Sequence, residues 1–245
     1  MKLTLAEPRF FKEPIIIISD LVNEVVFRID KDKLELIAMD PANVAMIVYK
    51  LLGSVFVEYD MDEPVEIAIN LDNLKQVLRR AKPADSLTLE LLENKLKITL
   101  KSSSTRIFTL SLISMHEERQ KIPELDFKCI VEMNSNLFDE AIEDMDVVSD
   151  SVAFEVKDDM FNIQAAGNIS TAKVSFKSDD FIKINSKENV RSRYSVEYLK
   201  KIIKGSKLSD KLTLSLSNDY PLKVEYKIID KLSLATILAP RVSND

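Results

Sequence analysis

Apolar and polar residues alternate along most of this chain, and a period of two predicts β-strands with one face on a core. The alternation is clearest at residues 87–91, 96–100 and 108–112. Shorter apolar runs bounded by turn residues extend the pattern over both halves of the sequence. The complete set of predicted strands is 25–29, 33–38, 44–49, 65–69, 87–91, 96–100, 108–112, 127–133, 152–156, 161–165, 172–176, 212–216, 222–226 and 232–238.

Helical spacing of apolar residues appears at four further places. Residues 71–81 predict an amphipathic helix with Lys75 and Arg79 on its polar face, and residues 195–204 predict a second basic helix. Residues 137–147 predict a third helix, for which Ser135 or Asn136 is the expected N-cap.

The fourth helix is predicted within residues 8–24, but Pro14 falls inside this segment. A proline in a helix interior costs about 3 kcal/mol. We therefore expect this helix to start late or to be kinked.

The two halves of the chain superpose in register. Residues 71–91 lie over 196–216 at an offset of 125, and the hairpin at 25–38 lies over 152–165 at an offset of 127. Agreement over such long segments predicts a duplicated α+β domain, each copy having two helices packed on an antiparallel sheet.

A polar connector separates the copies and contains Ile122-Pro123. Because proline lacks a backbone donor and extends the residue before it, we expect an exposed segment here. The predicted domains are residues 1–112 and 128–245, with the connector at 113–127.

Composition narrows the class of protein. Hydrophobic residues make up 46% and charged residues 30% of the 245, which is typical of a globular chain. A net charge of −6 argues against a protein that coats nucleic acid, although charge could be segregated by face. Three glycines leave little material for phosphate-binding loops. One cysteine, no apolar run of about 20 residues and no apolar leader core predict a cytoplasmic protein.

Candidate catalytic groups are isolated in the sequence. His116, the only histidine, lies in the connector and is interpreted as a solvated loop residue. Cys129 alternates with Phe127 and Val131 on a predicted strand, so we expect a buried thiol. Neither a zinc spacing nor a cofactor motif is present, and we expect no enzyme activity and no cofactor.

The helix at 137–147 is acidic. Carboxylates three or four residues apart can share a divalent cation, so a metal-dependent enzyme using Glu140 and Glu143 is an alternative hypothesis; a solvated helix face is the commoner explanation. A non-ring protein-interaction module is the other alternative. The five carboxylates are Asp139, Glu140, Glu143, Asp144 and Asp146.

The predicted helices at 71–81 and 195–204 are basic and lie at equivalent points of the repeat. Each basic face alone could be an ordinary solvated surface, but basic helices repeated in this way would form a stripe of positive charge. A stripe of this kind can follow a phosphate backbone without reading the bases.

Four short motifs are distributed in order along almost the whole chain. They are 36–40 (LIAMD), 122–124 (IPE) leading into 129–131 (CIV), 221–228 (PLKVEYKI) and 238–241 (LAPR). On these motifs the chain resembles the sliding clamps of archaeal and eukaryotic replication, the proliferating cell nuclear antigen family. The resemblance implies that each chain is one segment of a toroidal trimer, a homotrimer or a heterotrimer with paralogous clamp subunits. It implies a processivity factor through whose hole duplex DNA passes without sequence preference.

The resemblance also implies three sets of site residues. The DNA-facing set is Lys12, Lys75, Arg79, Arg80, Lys200, Lys201 and Lys204, whereas Glu143 falls where the family is often basic. The pocket for short clamp-binding motifs is Met39, Val44, Met46, Ile122, Pro123, Pro221, Ile237, Ala239 and Pro240. The subunit interface is Arg106, Phe108, Leu110, Lys173, Ser175 and Lys177. Implied partners are polymerase, flap endonuclease, ligase and clamp loader, and the implied location is the cytoplasm in association with the nucleoid.

Overall fold

The computed structural model describes residues 1–114 and 120–241, so His116 lies outside the described residues. The chain forms two compact units that exchange short segments. Unit 1 comprises Met1–Pro41, Ile47–Ile122 and Ile228–Leu234, and unit 2 comprises Ala42–Met46, Pro123–Lys227 and Ala235–Asp245.

The first half of the chain contains two helices and nine strands within the described residues. Unit 1 holds the antiparallel sheet β5-β1-β7-β8-β9, and β2 pairs with both β3 and β6. In chain order the elements are β1 (Lys2–Leu5), α1 (Arg9–Ile18), β2 (Glu24–Ile29), β3 (Lys33–Met39), β4 (Ala45–Leu52), β5 (Phe56–Asp60), β6 (Val65–Asn70), α2 (Leu71–Leu78), β7 (Ser86–Leu92), β8 (Lys95–Lys101) and β9 (Thr105–Ser111).

The second half repeats this arrangement. Unit 2 holds the antiparallel sheet β13-β12-β11-β15, and β10 pairs with both β14 and β16. Its elements are β10 (Cys129–Asn134), α3 (Ser135–Asp146), β11 (Ser151–Lys157), β12 (Met160–Ala166), β13 (Thr171–Lys177), β14 (Lys183–Ser186), β15 (Val190–Ser195), α4 (Val196–Ile202), β16 (Lys211–Leu216), β17 (Leu222–Ile228) and β18 (Leu232–Leu238).

Strand register confirms the predicted duplication and the α+β class. Phe27 pairs with Leu36 across the hairpin β2–β3, and Phe154 pairs with Ile163 across β11–β12. Both residues of the second pair lie 127 positions after those of the first, which is the offset seen in the sequence. The hairpin register was therefore duplicated together with the sequence pattern.

Helix α1 begins at Arg9 and ends at Ile18, within the predicted segment, so the expectation of a late start was wrong. Pro14 lies inside α1 and cannot donate to the carbonyl of Phe10, four residues earlier. The hydroxyl of buried Tyr49 donates to that carbonyl instead, at 2.6 Å. A side chain on β4 thus replaces the helical hydrogen bond that proline removes.

Helix α2 is the predicted element at 71–81, shortened to Leu71–Leu78. The side chain of Asn70 caps its N-terminus by accepting from the backbone N–H of Asn73 at 3.1 Å. Leu71, Leu74, Val77 and Leu78 are its buried stripe. The apolar spacing therefore predicted both the position and the buried face of the helix.

The ends of α3 and α4 differ from prediction. Helix α3 begins at Ser135, and its N-cap is Asn134, which accepts from the N–H of Asn136 at 2.8 Å. Ser135 is buried and donates to the carbonyl of Ser209. Helix α4 ends at Ile202 and continues as a 3-10 turn containing Gly205, where a Cβ atom would lie 2.2 Å from the ring of buried Tyr226.

Four strands were missed in the sequence: β1, β5, β14 and β15. In β15 the inward-facing residues are Val190, Ser192 and Tyr194, and the serine breaks the apolar alternation although it is only 1% exposed.

The predicted burial of Cys129 is confirmed, since its exposed fraction is 0%, and burial raises the pKa of its thiol.

Candidate functional site

The four candidate DNA-facing cations of unit 1 fall into two pairs. Lys12 donates to the carbonyl of Ala81 just after α2, at 2.9 Å, and so satisfies a carbonyl beyond the helix end. Lys75 forms an ion pair with Asp20 at 2.9 Å, with both side chains largely shielded. Arg79 and Arg80 are exposed in the turn after α2, and no side chain among residues 1–114 and 120–241 pairs with either guanidinium. The two arginines are therefore the freer cations of this set.

In unit 2 the candidate cations face acidic neighbours. Lys200 on α4 pairs with Asp146 on α3 at 2.5 Å, and this hydrogen bond, together with the charge of Asp146, raises the pKa of Lys200. Lys201 pairs with Glu197 one turn earlier at 3.2 Å and lies over the ring of Tyr198. Lys204 is exposed in the 3-10 turn Ile203–Lys207. Most positive charge on α4 is thus balanced within the same unit.

Helix α3 supplies the partner of Lys200. All five of its charged side chains are carboxylates. Burial raises the pKa of Asp139, whereas a hydrogen bond from Ser206 opposes the shift. In the parts of the chain that the structure describes, no three His, Cys, Asp or Glu side chains converge as a metal site.

The candidate interface residues lie on two edge strands. Strand β9 ends the five-stranded sheet of unit 1, and β13 ends the four-stranded sheet of unit 2. Phe108 and Leu110 are half-buried on β9, whereas Lys173, Ser175 and Lys177 are exposed on β13. Strands β9 and β13 therefore each present a sheet edge whose backbone groups can pair with another strand.

The guanidinium group of Arg106 on β9 is held by two hydrogen bonds within unit 1. It donates to Asp85, at 2.5 Å, and to the carbonyl of Arg80, at 2.8 Å. The pKa of Asp85 falls to about 2, first because the backbone N–H of Lys82 donates to it and then through Ser102 and Arg106. Arg106 thus ties the turn after α2 to the edge strand, a role that the family resemblance did not suggest.

The candidate pocket residues are distributed over both units. Met39 and Ile122 belong to unit 1, and Ile122 is 43% exposed. In unit 2 the backbone N–H of Ala239 donates to the carbonyl of Val44 at 2.8 Å, which brings these two candidates together. Met46 and Ile237 are buried, Val44, Pro221, Ala239 and Pro240 are half-buried, and Pro123 is exposed.

Sequence reasoning missed the acidic partners of the basic residues. Asp20 lies 55 positions before Lys75, and no local pattern connects the two. Asp85 had one signal, since it superposes on Asp210 in the repeat. Asp146 was recognised as part of an acidic helix but not as a partner of Lys200.

Comparison with known proteins identifies the family of the chain. Residues 1–136 match the family model of the proliferating cell nuclear antigen N-terminal domain, and residues 121–241 match that of its C-terminal domain. A DNA polymerase sliding clamp of Thermococcus gammatolerans is 35% identical over 95% of this chain and 94% of its own length.

Two further relatives extend the similarity. The DNA polymerase sliding clamp of Pyrococcus furiosus is 34% identical over 91% of each chain. That of Nanoarchaeum equitans is 31% identical over 98% of this chain and 99% of its own length. Two domain matches in tandem and full-length relatives above 30% identity show that the chain belongs to the proliferating cell nuclear antigen family of sliding clamps.

Proposed function

We propose that this chain is a ring subunit of a DNA sliding clamp, a non-catalytic processivity factor that encircles duplex DNA and docks replication and repair proteins. The observation that carries the proposal is that β9 in unit 1 and β13 in unit 2 are each an end strand of a sheet. Two different edges on one chain support head-to-tail pairing, which closes into a ring when the rotation per subunit allows it. The similarity to DNA polymerase sliding clamps supports the same architecture.

The assembled mass tests this proposal. Three chains of 27.9 kDa give a ring of about 84 kDa, and we expect this mass by light scattering, either for the chain alone or after mixing with paralogous subunits from the same cell. Ile107→Asp, on β9 at 57% exposure, should abolish the trimer. The matched control is Ile229→Asp, 76% exposed and in the turn between β17 and β18, which should leave it intact. A monomer in every mixture would overturn the proposal.

DNA contact in this proposal is concentrated on Arg79 and Arg80. These two arginines are exposed beside α2 and carry no acidic partner in the described ranges, whereas Lys75, Lys200 and Lys201 each have one. Phosphate contacts by such side chains position the duplex without reading sequence.

In this proposal, client proteins dock on the nine candidate pocket residues that the family resemblance implies, of which Met39 is the first and Pro240 the last. Ile122 is an exposed apolar side chain of the kind that clients anchor on. Met39→Ala with Ile122→Ala should weaken binding of a clamp-binding peptide by about tenfold, the usual loss for truncated anchors. The control is Ile130→Ala, at 41% exposure, which should leave the titration unchanged. Equal weakening in both variants would remove this assignment.

A further inference from the structure

Unit 2 contains a concavity on the sheet face opposite its core. Of its lining residues, only Lys173 belongs to the candidate subunit interface, and none belongs to the docking pocket. Its volume is about 340 Å³, and its cationic side chains are Arg191 and Arg193 on β15 and Lys173 on β13. Ala153 and Gln164, on the two central strands, form its floor. We call this set of five residues the arginine concavity.

Strand register explains why the sheet is hollow here. Arg193 pairs with Ala153, Ala153 with Gln164, and Gln164 with Lys173, so the four residues form one row across four strands. Three strand spacings of about 4.8 Å place the two outer residues about 14 Å apart. Alanine fills little of the space between them, and the long cationic side chains stand at both rims.

One carboxylate adjoins the arginine concavity, because Glu155 is the cross-strand partner of Arg191. No side chain of residues 1–114 or 120–241 forms an ion pair or hydrogen bond with the charged groups of Arg191, Arg193 or Lys173. The remaining arginine of unit 2, Arg241, differs because it pairs with Asp150 at 3.0 Å and holds the pKa of that carboxyl down. Asp150 is thus engaged elsewhere.

Polar neighbours of the cations complete an anion-binding surface. Ser151 and Thr171 line the same concavity with hydroxyl groups, and Gln164 adds an amide donor. Guanidinium groups bind phosphate oxygens through two parallel hydrogen bonds, and hydroxyl and amide donors supply the rest of a phosphate shell.

We propose that the arginine concavity binds a small phosphate-bearing molecule, either inorganic phosphate or a phosphate monoester. The volume lies at the lower end of the range for small-molecule pockets, about 300–1,000 Å³, which suits a ligand of this size. The row of residues ends at β13 and β15, so the cations form a compact group and do not extend as a track along which a duplex could lie.

Calorimetric titration of the full chain in 0.15 M NaCl tests the proposal with inorganic phosphate and adenosine monophosphate as probes. We expect saturable binding to at least one probe. Arg191→Gln with Arg193→Gln should weaken it by about tenfold or more, because both guanidinium groups that hold the phosphate are removed. The charge-matched control is Lys157→Gln with Lys227→Gln, exposed cations outside the concavity, which should change affinity less than twofold.

A second variant separates shape from charge. Ala153→Leu fills the floor and keeps all three cations, so it should also abolish binding while the melting temperature confirms a folded chain. Similar affinity for the two probes identifies the phosphate group as the ligand, whereas tighter adenosine monophosphate binding identifies a nucleotide; both uphold the proposal. The proposal would be overturned if neither probe showed saturable binding, or if the double lysine control lowered the affinity as much as the double arginine variant.

Discussion

The two units share one hairpin register but differ in where their polar side chains find partners. In unit 1 Lys75 pairs with Asp20 in a shielded contact, with 14% and 23% of the two side chains exposed. In unit 2 Lys200 pairs with Asp146 in an open contact, with 38% and 39% exposed. An exposed ion pair contributes only about 0–1 kcal/mol and weakens with salt. Lys200 is therefore the easier lysine to release to another anion.

The two units also differ in the charge that their helices carry. The turn after α2 carries Arg79 and Arg80 without acidic partners in the described ranges, whereas α3 carries five carboxylates, one of which pairs with Lys200 on α4. The duplicated fold therefore fixes helix positions without fixing their electrostatics. In a ring, the unpaired arginines of unit 1 would attract the DNA backbone, whereas Lys200 and Lys201 of unit 2 would remain paired with carboxylates of the same unit.

The buried hydroxyl of Tyr49 in unit 1 has a hydrogen-bond partner, whereas that of Tyr226 in unit 2 has none among the described residues, and this contrast gives the largest expected effect. Tyr49→Phe removes the donor to the Phe10 carbonyl and should destabilise the chain by about 2 kcal/mol, because a buried acceptor is left unpaired. The matched control is Tyr226→Phe, since the Tyr226 hydroxyl is buried without a partner among the described residues. It should change stability by no more than about 0.5 kcal/mol in urea titrations.

A third variant identifies the cause. Pro14→Ala restores a backbone N–H that can donate to Phe10, so it should recover much of the stability that Tyr49→Phe removes. Equal destabilisation by the two tyrosine changes, or no recovery with alanine at position 14, would contradict this explanation of the helix.

The next effect concerns DNA binding by unit 1. Arg79→Gln with Arg80→Gln should lower the log–log salt slope of duplex DNA binding by about two units, roughly one for each phosphate that is no longer neutralised. The control removes two exposed lysines of the sheet β5-β1-β7-β8-β9, Lys95→Gln with Lys101→Gln, and should leave the slope unchanged. Equal slopes for both double variants would mean that the arginines are only solvated.

The smallest effect concerns the acidic helix. Asp146→Asn should release Lys200 and raise the salt slope by about one unit, since one further cation becomes available to phosphate. Asp144→Asn removes the same charge from an exposed position of α3 and serves as its control. An identical increase in both variants would show a general charge effect and no role for the Lys200 pair.

The sequence predicted those parts of the fold that depend on local pattern. Helix α2 and the hairpins follow apolar spacing, and the duplication follows from constant offsets. Helix α1 was misjudged because the group that compensates for Pro14 is Tyr49, 35 positions later. Strand β15 was missed because buried Ser192 interrupts its apolar face.

The candidate DNA-facing residues show the same limit. Their types and positions follow from the family pattern, but which of them are neutralised depends on ion pairs such as that of Lys75 with Asp20, 55 residues away. Such pairs arise from packing between elements that are distant in the sequence, and the local pattern around each residue does not predict them.

Retention on circular DNA tests the central claim most directly. After loading with its ring partners and a clamp loader onto a nicked plasmid, the chain should stay bound in 1 M salt, where the Debye length of about 3 Å screens its phosphate contacts. Cutting the plasmid once should release it, because a closed ring slides off a free end. Dissociation from the intact circle in high salt, or retention after the cut, would contradict encirclement.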